Sequence, residues 1–119
     1  TIAPYFIARI VDAKQFIAQY PFIATGTNSQ LTIMLDDPML EWNKGVFTLN
    51  VSAKGQGELI DGDGHPSSSL DIQTLTTMLL GYKRPSYLAT IGRLHSDDLT
   101  VEMLENLIER QTPYFSDYF

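Results

Sequence analysis

The 119-residue chain contains no cysteine. That absence excludes disulfides, thiolate nucleophiles and cysteine-ligated metal. Histidine is nearly as scarce: His65 and His95 are the only two, so no multi-histidine metal site forms within the chain. Cations are also few. Eight Lys and Arg stand against fourteen Asp and Glu, a formal charge of −6, and Lys83-Arg84 is the only adjacent basic pair. Phosphate binding needs clustered Lys and Arg, so no nucleic-acid partner is expected. Long apolar runs and a basic, apolar leader are missing too, which predicts neither a membrane span nor a signal segment and agrees with a cytoplasmic location. The chain begins at Thr1 rather than methionine, as a segment of a longer polypeptide would, although processing produces the same start.

What is present fits one packed domain over residues 1–119. Hydrophobic residues make up 44% of the chain and charged residues 18%, enough for a single core. Tyr5 to Val11 is a nearly continuous apolar run, read as a strand buried on both faces. Asp12 caps a predicted helix in which Ala13, Phe16, Ile17 and Tyr20 recur at helical spacing, and Pro21 stops it. After a polar loop over Ala24 to Gln30, Leu31 to Leu35 and Val46 to Val51 alternate as half-buried strands. Lys54 to Gly57 turns into a short strand at Glu58 to Ile60, completing an antiparallel meander. Asp61 to Ser69 reads as a second loop.

Helices follow. Asp71 caps one with Ile72, Leu75 and Leu79 on one face, and Gly81 stops it. Pro85 opens a short second helix and Gly92 ends it. Thr100 opens a third, with Val101, Leu104, Leu107 and Ile108 inward, Glu102, Glu105 and Glu109 toward water, and Pro113 as its stop. The expected fold class is therefore α+β, a mostly antiparallel sheet packed with helices.

Several motifs are weighed against plainer readings. Asp61-Gly-Asp63-Gly-His65 resembles the start of a calcium loop, but Pro66 and Ile72 stand where an EF-hand needs glycine and a bidentate acid, so a surface turn is expected. His95-Ser96-Asp97 sets a base, a hydroxyl and an acid side by side, whereas a triad depends on spatial geometry. Gly55-x-Gly57 lacks the third glycine and following helix of a dinucleotide loop and reads as a turn. The apolar faces fit either a filled core or a lipid tunnel. The acidic charge would attract a cationic small molecule, though solubility demands the same composition.

The C-terminus is the unusual feature. Pro113-Tyr-Phe-Ser-Asp-Tyr-Phe119 ends the chain on four aromatics where chain ends are usually polar. Burying Phe119 would bury the α-carboxylate with it, and a desolvated carboxylate has its pKa raised toward that of a general base. The alternative is an aromatic clamp onto the core.

Four runs carry a family resemblance: Phe6-Ile-Ala-Arg-Ile-Val-Asp12, Trp42-Asn-Lys-Gly-Val-Phe47, Leu75-Thr-Thr-Met-Leu-Leu-Gly-Tyr-Lys-Arg-Pro85 and the terminal Pro113–Phe119. In this order they resemble the C-terminal domain of bacterial acetyltransferases of the enhanced intracellular survival (Eis) type. The resemblance implies a sterol-carrier-protein-like fold that packs against an N-terminal GNAT domain of the same chain. It implies acetyl-CoA as cosubstrate and a cationic amine as substrate, both handled outside this segment, with self-association into a homo-oligomer allowed. It also gives the α-carboxylate of Phe119 the role of deprotonating the amine; the residues themselves add Asp117 and Tyr118 as secondary substrate-binding candidates. The acetyl-CoA loop and the catalytic tyrosine of such enzymes have no counterpart here, so the segment alone is expected to be inactive. The rival readings are a lipid-binding module and a structural or oligomerisation scaffold.

Overall fold

Strand β1 (Ser29–Asp36) alternates strictly in the residues it hides: Leu31, Ile33 and Leu35 are buried, while Met34 and Asp36 are exposed. Strands β2 (Gly45–Val51) and β3 (Gly57–Asp61) repeat the pattern with Phe47, Leu49, Val51 and Leu59. Antiparallel pairing places Leu31 opposite Leu49 and Leu49 opposite Leu59, so one face of the sheet is apolar across all three strands. The meander expected from the sequence is present. The computed structural model describes residues 10–109, so the strand expected over Tyr5 to Val11 lies outside them except for Ile10 and Val11, neither of which is in a strand.

Two further strands extend the sheet where a loop was expected. Strand β4 (Ser68–Asp71) runs parallel to β1, with Leu70 opposite Leu35, and β5 (His95–Ser96) pairs antiparallel with β4. The order is β3-β2-β1-β4-β5. Ser-Ser-Leu-Asp has almost no intrinsic β preference; its pairing to the long β1 strand decides its conformation.

The helices cover the apolar face. Helix α1 (Ala13–Gln19) starts where the Asp12 carboxylate accepts the Gln15 N–H at 3.1 Å. Helix α2 (Ile72–Leu79) uses Asp71 in the same way toward Thr74, at 2.7 Å, and Gly81 follows it at φ +82°. Pro85 opens α3 (Pro85–Thr90), and α4 (Asp98–Leu107) completes the layer. No described helix is long and apolar enough to cross a membrane. The Tyr20 hydroxyl donates to Leu79 O at 2.6 Å, tying the end of α1 to the end of α2.

The Gly55-x-Gly57 pair proves to be more than a turn. Gly55 sits at φ +88°, and a Cβ there would lie 2.3 Å from Phe22 O; a Cβ on Gly57 would lie 2.4 Å from the Phe22 ring. Both positions need hydrogen because the Pro21-Phe22 segment packs directly onto the β2–β3 turn.

One buried polar cluster fixes how the chain enters the domain. Asn43 and Asp37 are almost wholly buried. Asn43 donates Nδ2 to Val11 O at 2.8 Å and to Asp37 Oδ2 at 3.0 Å, and accepts the Ala13 N–H at 2.9 Å. Trp42 Nε1 donates to the same Val11 carbonyl at 2.8 Å. Asn43→Ala removes the acceptor of the buried Ala13 N–H and a donor to Val11 O and Asp37 Oδ2, and should cost about 2–4 kcal/mol in urea unfolding. A loss below about 0.5 kcal/mol, the range of ordinary surface substitutions, would contradict this network.

Candidate functional site

The feature singled out in the sequence is the chain end, and α4 is the last described element before it. Asp97 caps this helix by accepting the Thr100 N–H at 2.7 Å, so the helix begins two residues before Thr100, the start expected from the sequence. Hydrogen bonding by the Thr100 hydroxyl and N–H holds the Asp97 carboxyl below its ordinary value. Leu104, Leu107 and Ile108 are buried, Ile108 completely. The helix ends at Leu107, ahead of Pro113: the Ile23 N–H donates to Leu107 O at 2.8 Å, and Ile108 is extended at φ −102°, ψ 116°. Helix α4 is thus stopped by a tertiary contact.

Glu105 corrects a second expectation. Helical spacing puts it on the water-facing side of α4, yet its side chain is only 24% exposed and its carboxylate is surrounded by donors. Arg84 gives Nε to Oε1 at 3.0 Å and Nη2 to Oε1 at 2.7 Å, and Nη2 also reaches Glu105 O at 3.0 Å. Ser86 gives its N–H and its hydroxyl to Oε2 at 2.9 and 2.7 Å. Burial alone would raise the Glu105 pKa; the Ser86 and Arg84 hydrogen bonds and the Arg84 charge outweigh it and lower the value. The first turn of α3 is thereby bolted to the last turn of α4. Spacing groups Glu105 with Glu102 and Glu109; the signal that could have separated it is Lys83-Arg84 just before Pro85, a guanidinium at a helix start needing a partner.

The predicted site residues Asp117, Tyr118 and Phe119 lie outside the described residues. Other candidates are placed plainly. Ser96 Oγ shares a 2.7 Å hydrogen bond with Ser68 Oγ, Asp97 is engaged with Thr100, and His95 is exposed, so His95-Ser96-Asp97 is not assembled as a triad. Asp61 pairs with Lys14 at 2.8 Å, and among the described residues no three His, Asp or Glu side chains gather as metal ligands. Between sheet and helices, the apolar void lined by Ile17, Leu31, Leu75, Met78 and Leu104 measures about 20 Å³. That is room for about one water, far below the roughly 300 Å³ at which ligand cavities begin.

Comparison with known proteins agrees with this architecture. The family described as sterol carrier protein domain matches residues 13–116. A solved structure of a conserved protein from Enterococcus faecalis V583, described as a probable N-acyltransferase, is similar at 27% identity and TM-score 0.80, over 86% of this chain and 26% of that one. A GCN5-related N-acetyltransferase from Anabaena variabilis is similar at 24% identity and TM-score 0.79, over 88% of this chain and 26% of that one. Eis1 from Mycobacterium abscessus shares 18% identity at TM-score 0.71, over 87% of this chain and 25% of that one. This chain therefore spans about a quarter of the length of these structures. No curated protein matches the chain. The chain belongs to the sterol carrier protein domain family, and its fold is the sterol-carrier-like α+β fold that the sequence predicted.

Because the folded pKa of Glu105 is depressed, its contribution to stability is present above the ordinary glutamate value of 4.5 and is lost as pH falls below it. Melting temperature should therefore drop between about pH 5 and pH 3, and more shallowly in Glu105→Gln. Parallel pH–stability curves for the two proteins would contradict the assignment.

Proposed function

We propose that this sterol carrier protein domain acts as the accessory domain of a GNAT-type amine N-acetyltransferase, supplying the α-carboxylate of Phe119 to an active site held by another domain of the same polypeptide. The observation that carries the reading is the likeness to the probable N-acyltransferase of Enterococcus faecalis, of which this chain spans 26%. The aromatic terminus Pro113–Phe119 supports it from the sequence side.

The chemistry explains why a chain end would serve. A protonated amine has no lone pair with which to attack a thioester, so transfer requires a base near the ammonium. The Phe119 carboxylate takes the ammonium proton, the freed amine attacks the acetyl carbonyl of acetyl-CoA, and the C–S bond breaks to release a thiolate. That thiolate takes its proton from a group in the acetyl-CoA-binding domain. An exposed α-carboxylate, with a pKa of roughly 3.3–3.7, is a poor base at neutral pH. The Tyr118 and Phe119 rings improve it by excluding water, and Asp117 adds negative potential for a cationic substrate. Acetyl-CoA is held entirely by residues outside this chain.

A second reading is favoured by a separate observation. Trp42 is 58% exposed and Met39 76%, on the segment bonded to Val11 where the chain enters the domain. Apolar exposure at this point suits a scaffold pressed against a neighbouring domain. The void of about 20 Å³ among the described residues gives a lipid-carrier role no support.

In the longer enzyme, adding one glycine after Phe119 moves the carboxylate and keeps every side chain. Acetylation kcat should fall by about tenfold or more, the scale of a lost general base, with the KM for acetyl-CoA unchanged. An unaltered rate across pH would discard the base. Deleting the whole domain separates the scaffold reading: a changed assembly state with preserved catalytic constants would favour it.

A further inference from the structure

Asp-Gly is a dipeptide prone to imide formation, because glycine carries no Cβ to keep its amide nitrogen away from the preceding Asp side chain. The chain contains it twice, back to back, at Asp61-Gly62 and Asp63-Gly64. Both aspartates are exposed, so solvent access does not separate the two sites. The hold on the backbone does.

Asp61 ends β3, opposite Phe47 of β2. Its carboxylate accepts from the Lys14 ammonium at 2.8 Å, and the Gly62 N–H donates to Val46 O at 3.0 Å. A Cβ on Gly62 would stand 2.7 Å from Thr48 Oγ1 and 3.0 Å from the Phe47 carbonyl carbon. The nitrogen that would attack Asp61 is therefore held in a hydrogen bond, and its peptide plane is packed against β2.

Two residues further on, that constraint is gone. Gly64 lies at φ +95° with nothing within 4 Å of where a Cβ would stand. Neither the Asp63 carboxylate nor the Gly64 N–H makes a hydrogen bond among the described residues. The chain is next gripped at Ser67, whose N–H and hydroxyl both donate to Thr32 O, at 2.8 and 3.2 Å. The stretch from Asp63 to Pro66 thus joins two fixed points without being fixed itself.

We infer that Asp63-Gly64 is a site of spontaneous isoaspartate formation, whereas Asp61-Gly62 is protected by its attachment to β2. The Gly64 nitrogen adds to Asp63 Cγ, losing its proton as the carboxyl loses its hydroxyl; one water departs and a cyclic imide closes. Water then opens the ring. Opening at the main-chain carbonyl leaves Gly64 joined through the Asp63 side chain and frees the α-carboxylate. The negative charge is restored and the backbone gains one methylene. The open surroundings of Gly64 accept that extra length without disturbing the sheet. The product belongs to the substrate class of enzymes that methylate isoaspartyl carboxylates with S-adenosylmethionine.

The test incubates the intact 119-residue chain at neutral pH, folded or in urea, and maps isoaspartate by electron-transfer fragmentation of its peptides. In the folded chain, conversion at Asp63 should exceed that at Asp61 by about tenfold or more, equal to at least about 1.4 kcal/mol of opening free energy at Gly62. In urea the two sites should convert at similar rates. Comparable amounts at both sites in the folded chain, or an excess at Asp61, would overturn the assignment. So would an Asp63 that converts in urea but stays unmodified when folded. An excess at Asp63 that persists in urea would trace it to local sequence rather than to the sheet, and would overturn the protection of Asp61. Asp63→Glu, which needs a larger and slower-closing ring, should remove most of the methyl groups that an isoaspartyl methyltransferase adds to the folded chain; undiminished methylation would also overturn the assignment.

Discussion

Burial of one face of a single sheet is the constraint from which the rest of this domain follows. Leu31, Ile33, Leu35, Phe47, Leu49, Val51, Leu59 and Leu70 all project to the same side. Four helices supply the complementary apolar stripes, and Ile17, Leu75, Leu79 and Leu104 meet the strand residues around a void of about 20 Å³. At roughly 25 cal/mol per Å² of apolar surface removed from water, such an interface outweighs the weak intrinsic preferences of its shorter pieces. The four-residue β4 exists because β1 offers it an edge, and the two-residue β5 because β4 offers the next one. A carrier function would need a far larger cavity than this void among the described residues.

Packing alone does not decide how the first and last described helices are held; polar groups do. At the entry, Asn43 and Asp37 hold Val11 and Ala13. At the exit, Arg84 and Ser86 hold Glu105, and the Ile23 N–H closes the last turn of α4. Ion pairs on open surface contribute little, but this one is three-quarters buried and fully ligated at the carboxylate, so it specifies geometry. A domain proposed to present its own terminus to another active site needs that kind of control at the helix from which the terminus departs.

Much of this was legible in the sequence for identifiable reasons. The caps Asp12 and Asp71, the opening Pro85 and the stops Gly81 and Gly92 are local rules with local causes, and each lies where expected. Alternation in β1 and β2 was equally plain. The misses are non-local. Ser68 to Asp71 becomes a strand only by pairing with residues some thirty-five positions earlier. Helix α4 stops because of Ile23, far away in sequence, rather than because of a breaker. Glu105 looks like one more solvated acid until Arg84 approaches from another helix. At the candidate site, the aromatic tail draws attention by its composition, whereas the clamp at its base leaves only the faint trace of a basic pair before proline.

The most direct test of the central claim changes the charge at the chain end and nothing else. Semisynthesis of the longer enzyme with Phe119 as its C-terminal amide keeps the backbone and every side chain while removing the α-carboxylate. The account predicts a large fall in kcat, loss of the limb of the pH–rate profile that reports the free base, and little change in acetyl-CoA binding. An amide-terminated enzyme with the rate and pH profile of the wild type would contradict it.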